Sequence, residues 1–235
     1  MSKKSSNILE PIAIGVAGVV SAGTISYWQK LTSSAIIVVI FTGVSSIVVN
    51  EVILFLFNKL PKRFAWSRKL VDKKAAYEGF YLEIKNVNNI RTYAVVCLNY
   101  CVQTDDYQLS GTAVEQDGRI SINWKSNFVK IDTATQQIIY SQTGHFTHTS
   151  DGKIFDGVTY MNFNYFLNKN LMAGIGHYID TIPAKSDFLF FKISKKDCKE
   201  LLNKDTIEKI SDYGIFVKRY HETKAELIFS WEHKL

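Results

Sequence analysis

The side chains that could do chemistry here are ones that stack and pair, not ones that break bonds. From Tyr81 to Tyr178 the chain is dense in aromatic residues with a polar handle, among them Tyr81, Tyr93, Tyr107, Trp124 and Tyr178. Arg91 and Arg119 are the only arginines between residues 75 and 218. Aromatic faces stack on bases, and a planar guanidinium pairs with phosphate oxygens. Tyr81, Arg91, Tyr93, Tyr107, Arg119, Trp124 and Tyr178 are therefore the candidate ligand-binding set. Strands are enriched in aromatics for packing alone, which is the plain alternative for each of them.

Catalytic signatures are missing. The sequence has no Gly-x-Ser-x-Gly elbow, no phosphate-binding Gly-rich loop ending in Lys-Ser/Thr and no His-Glu-x-x-His. His145-x-x-His148 has no neighbouring cysteine or carboxylate to complete a metal set. Gly174-x-Gly176 lies in a strand pattern, where glycine marks a bend or a close backbone approach, and is no dinucleotide fingerprint. Cys97 and Cys101 on one strand would stand ~13 Å apart, too far for a disulfide. With Cys198 they make an odd number, and all three are expected as thiols in a reducing compartment. No enzymatic activity, cofactor or metal is expected.

The elements that must position these residues begin at Tyr77. Phe80-Leu82-Ile84 alternates with Tyr81-Glu83-Lys85, and Asn88-Asn89 turns the chain. Strands then read at 91–103, 107–116, 120–131, 137–147, 154–165, 171–181 and 188–193, with Asp117-Gly118 and Asp151-Gly152 as turn signals. Consecutive hairpins of this kind predict about eight antiparallel strands closed as an up-and-down β-barrel, ahead of a sandwich or an open sheet. A barrel of that size holds packed side chains or one small ligand. A late helix is predicted from Lys195, with Ser194 and Asp197 as its cap pair. A last strand is predicted over Ala225–Trp231.

Ahead of the barrel lie two apolar stretches. Ile12–Trp28 is about 17 residues long and Ala35–Phe57 about 23, joined by a short polar link, which predicts two transmembrane helices in a hairpin. A cleaved signal peptide is the competing reading of the first, and the second span so soon after it argues against cleavage. Residues 59–74 carry seven basic side chains against Asp72 alone, whereas 75–235 carry 18 basic and 19 acidic ones. The positive charge is a collar, not a face, so a DNA or RNA polymer is not the expected partner. Lys3 and Lys4 before the first span and the collar after the second place both termini in the cytoplasm. The collar also suits anionic lipid head groups. Gly18 and Ala22 belong to a small-residue face that lets another helix approach. Asn50 and Glu51 are polar groups inside a span, where they mark oligomer contacts or a polar path. The expected domains are a helical hairpin over 1–58, a basic linker over 59–75 and the barrel over 76–235.

This layout, with the barrel opening on Tyr77-Glu78-Gly79-Phe80-Tyr81 and a late Leu171-Met172-Ala173-Gly174-Ile175-Gly176-His177-Tyr178 segment, resembles the CD-NTase-associated protein 15 effectors. These are two-transmembrane, β-rich effectors of bacterial cyclic-oligonucleotide antiphage defence. The resemblance spans the whole chain and rests on architecture. It implies a barrel that binds a cyclic dinucleotide, self-association on binding, and disruption of the bacterial inner membrane. A membrane-tethered, lipocalin-like carrier and a membrane-bound hydrolase are the rival readings.

Overall fold

In the computed structural model of this chain the described residues are 19, 22–30, 35–87, 90–147, 154–163, 173–180 and 185–232. The chain divides into two units, Met1–Lys73 and Lys74–Leu235.

In the first unit, helix α1 spans Ala35–Leu54. Its isoleucines and valines are poor helix formers in water but apolar on every side, and Ile36, Val39, Val44, Ile47 and Val52 are all exposed. At 1.5 Å per residue it is about 30 Å long, the depth of a bilayer's hydrocarbon. Among the described residues Ile36–Leu54 is the one helix long and apolar enough to cross a membrane. Most of the first expected span lies outside the described residues, so a second crossing is not shown. Residues 22–30 are helical, and Trp28 stacks on Phe41 of α1 with ring centroids 4.6 Å apart.

After α1 a π-helical turn, Phe55–Lys59, leads into two short helices, α2 (Leu60–Arg63) and α3 (Ala65–Val71). Extended Phe64 separates them, and the elbow is pinned by its own polar groups. Ser67 Oγ donates to the Leu60 and Phe64 carbonyls, and Arg68 Nη1 donates to those of Pro61 and Lys62 at 2.8 and 3.3 Å. Arg68 is thus buried and serves as a cap, unlike the solvated collar cation its sequence position suggests.

The second unit opens with a 3-10 turn, Lys73–Tyr77, whose first residue belongs to the first unit. Eight strands follow: β1 (Gly79–Val87), β2 (Ile90–Cys101), β3 (Asp106–Val114), β4 (Ile120–Asp132), β5 (Gln137–Phe146), β6 (Ile154–Asn162), β7 (Ala173–Asp180) and β8 (Lys185–Lys192). Each is antiparallel to the next, and β8 pairs back onto β1, closing the expected up-and-down barrel. The Asp117-Gly118 turn forms with Gly118 at φ +92°, as its residue types demand. Cys97 and Cys101 both lie on β2 as free thiols, and Cys198 is free too.

Two helices end the chain where one was expected. α4 (Lys195–Leu202) begins at the predicted cap: Ser194 and Asp197 form a reciprocal capping box, and Asn203 closes the helix in the left-handed region. α5 runs Ile210–Glu232 and absorbs Ala225–Trp231, which corrects the predicted last strand. The helix is set upstream, where Tyr213, Phe216, Val217 and Tyr220 repeat at helical spacing and pack on the barrel's outer wall.

Both faces of the barrel near β1 are therefore buried. Outside, Leu82, Ile84, Tyr93, Val95 and Val114 meet α4 and α5 through Leu201, Phe216, Val217 and Tyr220. Inside, Tyr81, Val96, Leu109, Ile138, Met161 and Phe190 form a second cluster.

Candidate ligand cavity

Strand alternation decides what the interior contains. On β1 the phase Tyr81-Glu83-Lys85 points in, because the more apolar phase Leu82-Ile84 is taken by the helices. The interior then divides along its axis. Around the first residues of β1 it is filled: Phe163 packs edge-on against Tyr77, Tyr81 and Phe190 with centroids 5.1, 5.9 and 4.8 Å apart. Towards the β1–β2 turn it is hollow. There a cavity of about 180 Å³ is walled by Trp124, Tyr140, Tyr178 and Phe188, with Glu83, Lys85, Thr92, Gln142 and Thr159 as its polar groups.

Glycines make room for these rings. A Cβ on Gly111 would lie 2.2 Å from the Trp124 indole, one on Gly176 2.0 Å from Phe188, and one on Gly157 2.3 Å from Tyr178. Gly111 and Gly176 are the register partners of Trp124 and Phe188. Each ring lies across a neighbouring strand that has no side chain to hold it off, so the rings line the wall instead of filling the centre.

The polar groups differ in how far the protein satisfies them. Glu83 is only 9% exposed, and its Oε1 accepts from the Tyr140 hydroxyl at 3.3 Å. Burial raises the Glu83 carboxyl to about 8, outweighing the opposite pull of Tyr140 and Lys85. The same burial and the nearby carboxyl hold the Tyr140 phenol well above its usual range. Lys85 Nζ sits 5.6 Å from the centre of the Tyr178 ring. Gln142 Oε1 and Trp124 Nε1 are buried with no hydrogen-bond partner. Native interiors leave few such atoms, which an ordered water or a bound group would complete.

Of the residues singled out from the sequence, Trp124 and Tyr178 stand in the cavity wall. Tyr81 and Tyr107 also point inward, but into the filled half, where the Tyr81 hydroxyl donates to the Tyr77 carbonyl. Tyr93 borders the cavity, but its side chain points outward, where the hydroxyl bonds His221 Nδ1 of α5 at 2.7 Å. Arg91 shares that outward phase and lies on the α5 side near Tyr220. Arg119 is in the β3–β4 turn, 76% exposed and paired with Asp117 at 2.6 Å. The structure thus does not bring the Tyr93, Arg91 and Arg119 side chains together with Trp124 on the cavity wall. Glu83, Lys85, Gln142, Thr159 and Phe188 enter the site without having been predicted. The available signal was the set of mid-strand glycines, each marking a ring opposite.

In the first unit, Ala22 is helical and exposed, and Asn50 and Glu51 are exposed on α1 near its end. Gly18 lies outside the described residues. Of the His145-x-x-His148 pair, His145 is exposed on β5 and His148 lies outside the described residues. Among the described residues no group of three or more His, Cys, Asp or Glu is placed to hold a metal. Comparison with protein-family models, with curated proteins and with solved structures finds no match.

Proposed function

We propose that this chain is a membrane-anchored receptor whose barrel cavity takes one base of a cyclic dinucleotide. Ligand binding then favours a self-associated state that disrupts the bilayer, as in an antiphage-defence effector of the bacterial inner membrane. The observation that supports this reading is the cavity itself: aromatic walls and unsatisfied polar atoms inside a closed barrel, on a chain that carries a membrane-length apolar helix. At about 180 Å³ the space is smaller than the ~300–1,000 Å³ usual for whole small-molecule sites. It suits one ring stacked on Trp124 or Tyr178, with the sugar–phosphate ring and the second base at the mouth beside Lys85. A ligand that binds the assembled state better shifts assembly by its differential affinity, and no catalytic step is required.

A lipocalin-like carrier would need an apolar interior. A buried carboxyl and a buried amide on the cavity lining weigh against acyl chains. The test is titration of the full chain in detergent with a panel of cyclic dinucleotides and, separately, with fatty acids. Saturable binding of a cyclic dinucleotide, weakened about tenfold or more in Trp124→Ala, supports the receptor. Fatty acid binding with no response to any cyclic dinucleotide overturns it.

A further inference from the structure

The elbow that follows the membrane-length helix carries two kinds of exposed side chain. Lys59, Lys62, Arg63, Lys69 and Lys73 are exposed cations, and the acidic side chain across 59–73 is Asp72 alone. Among these cations stand large apolar groups: Leu70 is 78% exposed, Trp66 61% and Phe64 41%. Fixing which end of a span stays in the cytoplasm requires lysine and arginine, and has no use for exposed tryptophan and leucine. The combination belongs to a surface that meets charge and hydrocarbon together.

The short helix α3 sorts its side chains. Trp66, Lys69 and Leu70, at spacings of three and four, share one side. Ser67 and Arg68 are buried, and their donors are taken by the carbonyls of Leu60, Pro61, Lys62 and Phe64. The pinned elbow therefore presents its outer face already formed, which lowers the ordering cost of binding. Arg63 joins that face, with its guanidinium carbon 5.8 Å from the centre of the Phe64 ring.

Position in the chain supplies the occupant. Leu54 ends α1, and Lys59 ends the π-helical turn that continues it. Five residues of helical rise cover at most about 8 Å, close to the depth of one head-group layer. In that layer aromatic rings settle at the acyl boundary and cations meet lipid phosphates.

We propose that the elbow over 59–73 is a docking surface for anionic phospholipid, with Trp66 and Leu70 at the acyl boundary and Lys62, Arg63 and Lys69 on the head-group phosphates. This inference rests on the membrane-anchored part of the reading above and is independent of what the barrel binds.

The experiment places the full chain in nanodiscs of phosphatidylcholine, alone or mixed with phosphatidylglycerol. Trp66 fluorescence, taken as the difference between wild type and Trp66→Phe, should be quenched by lipids brominated near the head-group end of their acyl chains. Spin-labelled phosphatidylglycerol should associate with wild type at least about threefold more strongly than spin-labelled phosphatidylcholine. The triple variant Lys62→Gln, Arg63→Gln, Lys69→Gln should bring the two lipids to parity. The pair Lys195→Gln, Lys196→Gln, which removes exposed charge from α4, should keep the preference. The inference is overturned if Trp66 in the inserted chain escapes quenching, or if wild type does not distinguish the two lipids. It is equally overturned if the α4 pair removes the preference as fully as the elbow triple, since net charge would then be the cause. Trp66 emission that ignores brominated lipid but shifts as copies associate assigns the face to a second copy instead. A chain that does not stay with the nanodiscs defeats the anchored reading as well.

Discussion

The two halves of the barrel interior use the same residue types for opposite ends. In one, Tyr81, Phe163 and Phe190 meet edge to face within a buried cluster. In the other, Trp124, Tyr178 and Phe188 are the same kind of side chain, yet a cavity lies between them. A glycine opposite the ring does not by itself make the difference, since Gly174 faces Phe190 across β7 and β8 as Gly176 faces Phe188. The other inward residues do: Val96, Leu109 and Ile138 surround the first set, whereas the smaller Thr92, Ala113 and Thr159 line the space beside the second. An aromatic-rich strand pattern therefore does not tell a core from a pocket; the bulk of the remaining inward side chains does.

The largest test of this contrast is removal of a ring from the filled half. Phe190→Ala should lower the stability of the full chain in detergent by about 3–5 kcal/mol, the usual cost of truncating a buried phenylalanine. A loss below about 1 kcal/mol, read from the denaturant midpoint, would mean that this half is not close-packed.

Glu83 sharpens the comparison next, because the hollow half holds a group that costs stability. Its folded-state pKa, about 8, is above the unfolded value near 4.5, so the folded state keeps a proton that the unfolded state has released. Its contribution is then fully favourable below about 4.5 and declines as pH rises towards 8, by up to ~1.4 kcal/mol per unit. Glu83→Gln should be more stable than wild type at pH 8, by up to a few kcal/mol, and the gap should close near pH 4.5. A gap that does not change with pH would show that Glu83 is solvated.

Trp124→Ala should do the reverse of Phe190→Ala. It should cost about 1–3 kcal/mol in cyclic dinucleotide binding, and less than that in stability, since the indole already borders a void. Comparable losses in both would remove the distinction between wall and core. The smallest effect belongs to the arginines. Charge reversal at Arg119, exposed in its turn, should leave affinity within about threefold, and Arg91→Glu should alter the packing beside α5 before it alters binding. A tenfold loss of affinity from Arg119→Glu would bring the β3–β4 turn into the site.

Most of the barrel was legible because its signals are local. Alternation marked the strands, Asp117-Gly118 marked a turn, and Ser194 with Asp197 marked a helix start. The site was much less legible, because alternation gives two phases and not their direction. On β1 both phases are buried, and the polar one turned inward only because α4 and α5, over a hundred residues later, cover the other. That same choice sent Tyr93 outward to His221. The Ala225–Trp231 stretch misled for another reason. Its apolar run is only Leu227-Ile228-Phe229, too short to show a period of its own, and its state is inherited from the helix already under way at Phe216 and Tyr220.

Closure of the strand ring has a consequence for how copies of this chain could join. Tyr81–Ile84 of β1 is hydrogen-bonded along Leu189–Lys192 of β8, so the first and last strands satisfy each other and neither offers a template to an incoming strand. Growth by strand addition, the simplest route from monomer to fibre, would first have to unzip that seam. Assembly that keeps the barrel intact must proceed through side-chain surfaces or the apolar helix instead. A polymer of such units would be a string of closed beads, each with its own cavity complete, and not a continuous sheet.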